Sequence, residues 1–440
     1  MTSSNSFFKN SFLTMGRQIF GILIGLGTSI IIADYLGPKG QGSYSLIILL
    51  PTLLFTFLNL GVNVSSVYYT GKKLVDINTL FKTNVVSGIG LSALAYIVGT
   101  LVVIFYSKQF FANIPSEILL LMLMILPVLF LNQILQSIFQ GVQDFGSYNI
   151  ILIAGKGSIL IFAVISLMIF QWGIFGALVS YTIGQLTTLI MITLLLKKKL
   201  NVRFKSGKFS ISYFKKSILY GVKTHLSNVL AFLNYRADMF VISYFLDSAA
   251  IGFYAVAVSM AEKLWVFSQS ISLVLLPRIS SSTDDLDKNR ITSIISRNVF
   301  AASVFAGIIL YLLSGILIHL MYPSYGRSVL ALRLMVPGIV FGGMGKILSN
   351  DISGRGKPEI NMYTSVFTVI ANIVLNIIMV PFYGIYGAAL ATSITYTASW
   401  LIKVIIFKKI TGQTYKSFLM LHSSDFRFYL RLYRRLRSNS

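Results

Sequence analysis

Trp172-Gly173-Ile174-Phe175-Gly176-Ala177 is echoed 211 residues later by Tyr383-Gly384-Ile385-Tyr386-Gly387-Ala388. Two further anchors return in the same order. Tyr35-Leu36 with Gly42 and Tyr44 comes back as Phe245-Leu246 with Gly252 and Tyr254 at an offset of 210, and Pro127 comes back as Pro337 at that same offset. Three ordered matches over 140 residues mark an internal duplication.

Outward from these anchors the chain is a series of apolar stretches 18 to 25 residues long, each able to cross a hydrocarbon core of ~30 Å. They predict helices near 13–36, 43–68, 82–106, 117–140, 148–170 and 173–196, then near 217–246, 251–277, 294–320, 328–350, 360–381 and 384–407. Composition agrees: 55% of the 440 residues are apolar and 11% are charged, where a soluble domain carries roughly 25%. Mean hydropathy is +0.78. The expected fold is all-α, a polytopic membrane protein of about twelve transmembrane helices in two six-helix lobes around a central cavity. The expected divisions are 1–196 and 217–410 for the lobes, 197–216 for a basic linker and 411–440 for a basic tail. With an even number of helices in each lobe, both enter the membrane from one side. A pseudo-two-fold axis along the membrane normal then relates them, with a pathway at their interface.

Charge orients the chain. Segments on the side of the N-terminus hold 26 Lys and Arg, eight of them in the linker, against Lys39, Lys108 and Arg327 on the other side. The positive-inside rule places both termini in the cytoplasm. The same rule accounts for the net charge of +24 as an orientation signal, so no nucleic acid is expected as a partner. Residues 1–10 are polar, so no cleavable targeting signal is expected. The absence of cysteine excludes thiol chemistry. In the tail, 417–437 forms a candidate amphipathic helix, with Arg427, Arg431, Arg434 and Arg435 on one face and Tyr429, Leu432, Tyr433 and Leu436 on the other. It would lie on anionic membrane lipids, or remain a solvated tail.

Ionisable residues inside spans each cost about 2.5–3.5 kcal/mol on insertion scales, which makes them the functional candidates. They are Arg17, Lys156, Lys223, Arg236, Asp238, Glu262, Lys263, Arg333, Lys346 and Lys403. Lys156, Lys223, Lys346 and Lys403 sit near the cytoplasmic ends of their helices, where a long side chain can snorkel. Arg236, Lys263 and Arg333 lie deeper. They either form interhelical pairs, Arg236 with Asp238 for example, or line a cationic cavity suited to an anionic cargo. Asp238 and Glu262 are candidates for binding a coupling proton or sodium ion, or for charge pairing. Pro51, Pro127 and Pro337 fall inside helices 2, 4 and 10, where each permits a kink.

Enzyme signatures fail on inspection. Asp284-Asp285-Leu286-Asp287 has no second acidic motif to complete a metal site. Gly354-Arg355-Gly356-Lys357-Pro358 lacks the spacing and the Ser/Thr of a phosphate loop. His225, His319 and His422 have no ligand spacing. Neither catalysis nor a cofactor or metal is expected.

With its Gly-rich first helix, Tyr35-Leu36-Gly37-Pro38-Lys39-Gly40-Gln41-Gly42-Ser43-Tyr44, the paired Gly-Ile-x-Gly-Ala turns and the Gly-Arg-Gly-Lys-Pro loop, the chain resembles the oligosaccharide-lipid flippases of polysaccharide biosynthesis, the O-antigen type. These belong to the superfamily that also holds the multidrug and toxin extrusion transporters. The resemblance implies a polyprenyl-diphosphate-linked oligosaccharide as cargo, moved to the outer leaflet of a bacterial inner membrane. A polysaccharide polymerase and glycosyltransferases could work beside it. It also implies basic cavity residues on helices 1 and 8, where Arg17 and Lys263 stand; Arg236, Arg333 and Lys223 are the secondary candidates. A cation-coupled drug extruder of the same fold, using Asp238 or Glu262, is the alternative. A membrane polymerase is a third reading, opposed by outer loops of only ~10 residues.

Overall fold

In hydrocarbon a backbone must satisfy its own hydrogen bonds, so long apolar runs close into helices. The computed structural model describes residues 2–111, 114–282, 284–422 and 425; the side chains of 2–19, 223, 267, 270, 273–274, 277 and 281 lie outside that description. Among the described residues every regular element is helical. They are α1 (Thr2–Leu58), α2 (Val62–Gly71), α3 (Ile77–Phe110), α4 (Ser116–Leu123), α5 (Leu126–Gly141), α6 (Phe145–Ala163), α7 (Gly173–Leu200), α8 (Ile211–Phe245), α9 (Ser248–Ala261), α10 (Val266–Ser281), α11 (Asp285–Met321), α12 (Ser328–Gly354), α13 (Pro358–Thr411) and α14 (Tyr415–Leu419). A π turn at Val164–Ile169 follows α6, and a 3-10 turn at Glu262–Trp265 joins α9 to α10.

Eight helical spans among the described residues are long and apolar enough to cross a bilayer. Two of them are broken, α1 at Gly37 (φ 63°) and α13 at Gly384 (φ 58°), so each is a pair of helices placed end to end. α8 is left out because it is polar, carrying Lys215, Lys216, Lys223, His225, Arg236 and Asp238, and α9 and α10 because the 3-10 turn divides them into pieces of 14 and 16 residues. The two arms of α1, the two of α13, the other apolar spans, α8, and α9–α10 correspond in order to the predicted segments.

The duplication is visible in the backbone. Gly173 and Gly384, aligned at the 211-residue offset, have φ of 56° and 58°, a conformation that side chains with a β-carbon resist. At the first anchor the same break is made by two different chemistries. Gly37 turns the chain by its own freedom, whereas its counterpart Asp247 accepts a hydrogen bond from the Ala250 N–H (2.8 Å) and caps α9.

Two predicted helices are interrupted. The fourth stops at Leu123 and restarts with Pro127 in the first turn of α5, where a missing N–H costs nothing, so this proline opens a helix rather than kinking one. Pro337 does lie inside a continuous α12. The second helix ends at Leu58 and resumes at Val62, with Leu60 (φ 51°) and Gly61 (φ 72°) left-handed between them.

The chain packs as two compact units: Met1–Leu233 with Ser243–Gly252, and Asn234–Ile242 with Phe253–Ser440. The first unit includes the basic linker and the opening of α8. Its core is built by Leu80, Leu135, Phe139, Ile151, Ile192 and Leu196 from α3, α5, α6 and α7. The second unit has one cluster at Leu275, Ile279, Val299 and Ile347, and another where Met344, Leu348, Val404 and Phe407 bury Phe418 of α14.

Candidate functional site

The second unit holds a cleft between α8, α12, the second arm of α13 and the 3-10 turn. The turn creates one wall. By tightening from α9 before α10 resumes, it carries Trp265 into the core, where the indole N–H donates to the Ile339 carbonyl at 2.9 Å. Tyr235 and Tyr396 pack around that indole with ring centroids 5.2 and 5.8 Å away, and the Tyr396 hydroxyl donates to the Asn234 carbonyl at 3.1 Å. Trp400 is held by stacking on Phe341 (4.4 Å) and by its N–H on the Met344 sulfur (3.1 Å). Three ring planes are thus fixed before any ligand arrives.

Two ammonium groups enter the same space. The Lys346 Nζ lies 3.4 Å from the Trp265 ring centroid and 5.1 Å from that of Tyr235, a double cation–π contact. Lys403 lines the wall beside Trp400. Neither lysine has a carboxylate within ion-pairing distance among the described residues. Gly342 and Gly345 leave the α12 side open, and the cavity that remains is about 50 Å³. That admits a few water molecules and no larger guest.

The first half of the chain shows what makes this opening. At the 210-residue offset Gly342, Gly345 and Lys346 correspond to Asn132, Leu135 and Gln136; at the 211-residue offset Tyr396 and Lys403 correspond to Gln185 and Ile192. There Asn132 donates to the Gln185 side-chain oxygen (3.1 Å) and to its backbone carbonyl (3.0 Å). Asn132 and Leu135 stand where the second repeat has two glycines. One repeat is neutral and carries larger side chains at the glycine positions, and the other is glycine-lined and cationic.

The residues singled out from sequence are scattered. Arg236 grips Glu262 with both guanidinium nitrogens, at 2.9 and 3.3 Å, and not Asp238 as its neighbouring position suggested. Asp238 is instead buried, accepting hydrogen bonds from the Met239 N–H (2.8 Å), the Tyr254 hydroxyl and the Thr392 hydroxyl (3.5 Å). Lys263 stands in the turn that carries Trp265 but does not line the cleft. Arg333 is apart from it, donating through Nε to Ser314 (2.8 Å) with its guanidinium over Tyr311. The side chains of Arg17 and Lys223, and most of the 417–437 helix, lie outside the described residues.

For Lys346 and Lys403 the sequence leaves snorkelling and function equally open; what singles them out is the repeat, because their counterparts are Gln136 and Ile192. The acidic run serves as a helix start: Asp284 caps α11 through the Leu286 N–H (2.9 Å), while Asp285 and Asp287 pair with Lys288 and Arg278. Arg355 of the Gly-Arg-Gly-Lys-Pro loop folds back onto buried Asp351 at 2.6 Å. Among the described residues no group of three or more His, Asp or Glu could hold a metal.

Comparison with known proteins adds the following. Residues 7–283 match the family model described as polysaccharide biosynthesis protein. An uncharacterized membrane protein of Methanocaldococcus jannaschii is 29% identical over 54% of this chain and 59% of its own length. A Shigella flexneri protein, provisionally described as an O-antigen transporter, is 23% identical over 91% of this chain and 96% of its own. The solved structure of the lipid II flippase MurJ in an inward closed conformation superposes with a TM-score of 0.76, covering 90% of this chain and 87% of that one at 20% identity, which shows a shared fold.

Proposed function

The chain belongs to the polysaccharide biosynthesis protein family, and on that premise we propose that it is a flippase for a polyprenyl-diphosphate-linked oligosaccharide. It carries the headgroup from the cytoplasmic to the outer leaflet of a bacterial inner membrane while the polyprenyl tail stays in lipid. The observation that carries this reading is the cleft itself: two ammonium groups with no carboxylate in ion-pairing distance among the described residues, set among fixed aromatic rings, inside a bundle of membrane-spanning helices. An uncompensated cation there is costly, and an anionic cargo supplies the compensation. A sugar diphosphate cannot cross hydrocarbon alone, because its polar groups lose their water without replacement.

In this proposal the two six-helix lobes rock about the bound headgroup, both termini stay cytoplasmic, and the basic tail rests on anionic lipids. Arg17 and Lys263 hold the diphosphate, with Arg333 and Lys223 as further contacts. Arg236 joins them only when Glu262 releases it. Asp238, already ringed by two hydroxyl oxygens, is the better-placed group for a coupling ion, since Glu262 is taken by Arg236.

Deletion followed by complementation tests the function. The expected outcome is loss of one surface glycan with its lipid-linked unit accumulating inside, and rescue by the intact gene. Arg17→Gln and Lys263→Gln should each fail to rescue at unchanged protein level; full rescue by both removes those two assignments. A deletion that alters dye and drug resistance but no glycan replaces the flippase reading with drug extrusion.

A further inference from the structure

We propose that the cleft of the second unit is a subsite for a sugar ring bearing an acidic substituent, and that Lys346 occupies it until the ligand arrives. It deepens the flippase reading and rests on it for the source of the sugar.

The argument starts from the ring faces. A pyranose presents a face of C–H groups that packs on an aromatic face, and the Trp265 face that would receive it is covered by the Lys346 ammonium at 3.4 Å. The present cavity of about 50 Å³ is too small for a hexose. Moving one flexible side chain off the indole both enlarges the space and bares the ring. The indole cannot follow, because its N–H is fixed on Ile339, and Tyr396 is fixed on Asn234.

A neutral sugar has little to draw the ammonium away. A carboxylate or phosphate on the ring does, by offering a charge-assisted hydrogen bond in exchange for the cation–π contact. Lys403, on the same wall and without a paired carboxylate among the described residues, supplies a second donor for that anion. Ring and charge are therefore both required: the charge withdraws the plug, and the ring fills the space it leaves.

The three tryptophans are Trp172, Trp265 and Trp400, and two of them line the cleft. Trp172 is exposed in the first unit, so Trp172→Phe leaves an emission that reports the cleft. The purified full-length Trp172→Phe protein, in phosphatidylcholine nanodiscs, is titrated with methyl glucuronide, methyl glucoside and acetate. Methyl glucuronide is expected to change the emission saturably, with methyl glucoside and acetate each about tenfold weaker, as a charge-assisted contact and a stacked ring would each predict. Lys346→Ala should raise the glucoside affinity several-fold, since the ring is already bare, a gain of binding that misfolding cannot mimic; the glucuronide keeps the part of its preference that Lys403 supplies. Lys403→Ala should weaken the glucuronide alone.

Equal responses to all three probes, no response, or a Lys346→Ala protein that gains no glucoside affinity overturns the proposal. So does the same emission change when phosphatidylglycerol is added without sugar, because the ligand is then a lipid headgroup. Complementation without sugar binding sinks this subsite and leaves the flippase standing. Sugar binding without any glycan phenotype does the reverse.

Discussion

Glu262 and Arg236 meet through two parallel hydrogen bonds, and each is about a quarter to a third exposed, with side-chain exposures of 25% and 32%. Removing one partner of such a pair strands the other's charge, whereas removing both does not. Glu262→Gln is therefore expected to lower stability by about 2 kcal/mol, a reduced value for a pair that is not fully desolvated. The double variant Arg236→Met with Glu262→Leu should recover most of that. Thermal unfolding in detergent, followed by fluorescence, measures both, and equal melting of the two variants would refute the pairing. The pair was not legible in sequence, for a definite reason. Arg236 and Asp238 are neighbours along one helix, but helical positions two apart point in different directions. The true partner lies 26 residues on, and only the packing of α8 against the 3-10 turn brings it close.

At the scale of elements, α14 shows how a short helix is held. Phe418 is buried against Phe407, and Arg297 of α11 reaches the Ser417 carbonyl at 3.0 Å while gripping Asp425 with two nitrogens at 2.6 and 2.5 Å. Hydrogen bonding from Arg297 holds the Asp425 carboxyl below its ordinary range, against the opposing effect of burial. A carboxyl depressed on folding contributes fully above its unfolded value of about 3.9 and loses that contribution as pH falls through the depressed one. A fluorophore at position 421 should thus report a docked α14 from pH 8 to 5 and release only in stronger acid. Asp425→Asn should release it at neutral pH; a docked Asp425→Asn tail would show that Phe418 alone suffices. Element boundaries follow the same division between local and distant causes. Hydropathy located the spans because length and apolarity are local properties. The break after Leu123 was half legible, because Pro127 has no N–H to offer the Leu123 carbonyl, whereas nothing local in the sequence announced the 3-10 turn at Glu262–Trp265. The glycine turns at 173 and 384 were legible because their requirement, a positive φ, is written in one residue.

For the whole molecule, an apolar core is wrapped in an apolar surface. Phe382 and Leu320 are 80% and 77% exposed, while Asp351 and Asn376 are fully buried. The exposed face suits lipid, and the charge asymmetry between loops then decides direction. Green fluorescent protein fused after residue 440 should fluoresce, and alkaline phosphatase should be active when fused after residue 108 and inactive after residue 205. Phosphatase activity at 205 would reverse the topology. One contrast between the halves has a further consequence. A tandem duplication starts with two equivalent stations, yet here Asn132 and Leu135 stand in one where Gly342 and Gly345 line the other. The outcome is a divergence of the two stations: at these positions the first repeat is neutral and the second cationic, so the proposed sugar acid has its ammonium donors in the second. Carving Gly into positions 132 and 135 and Lys into 136 would ask whether the quieter twin still remembers how to carry one.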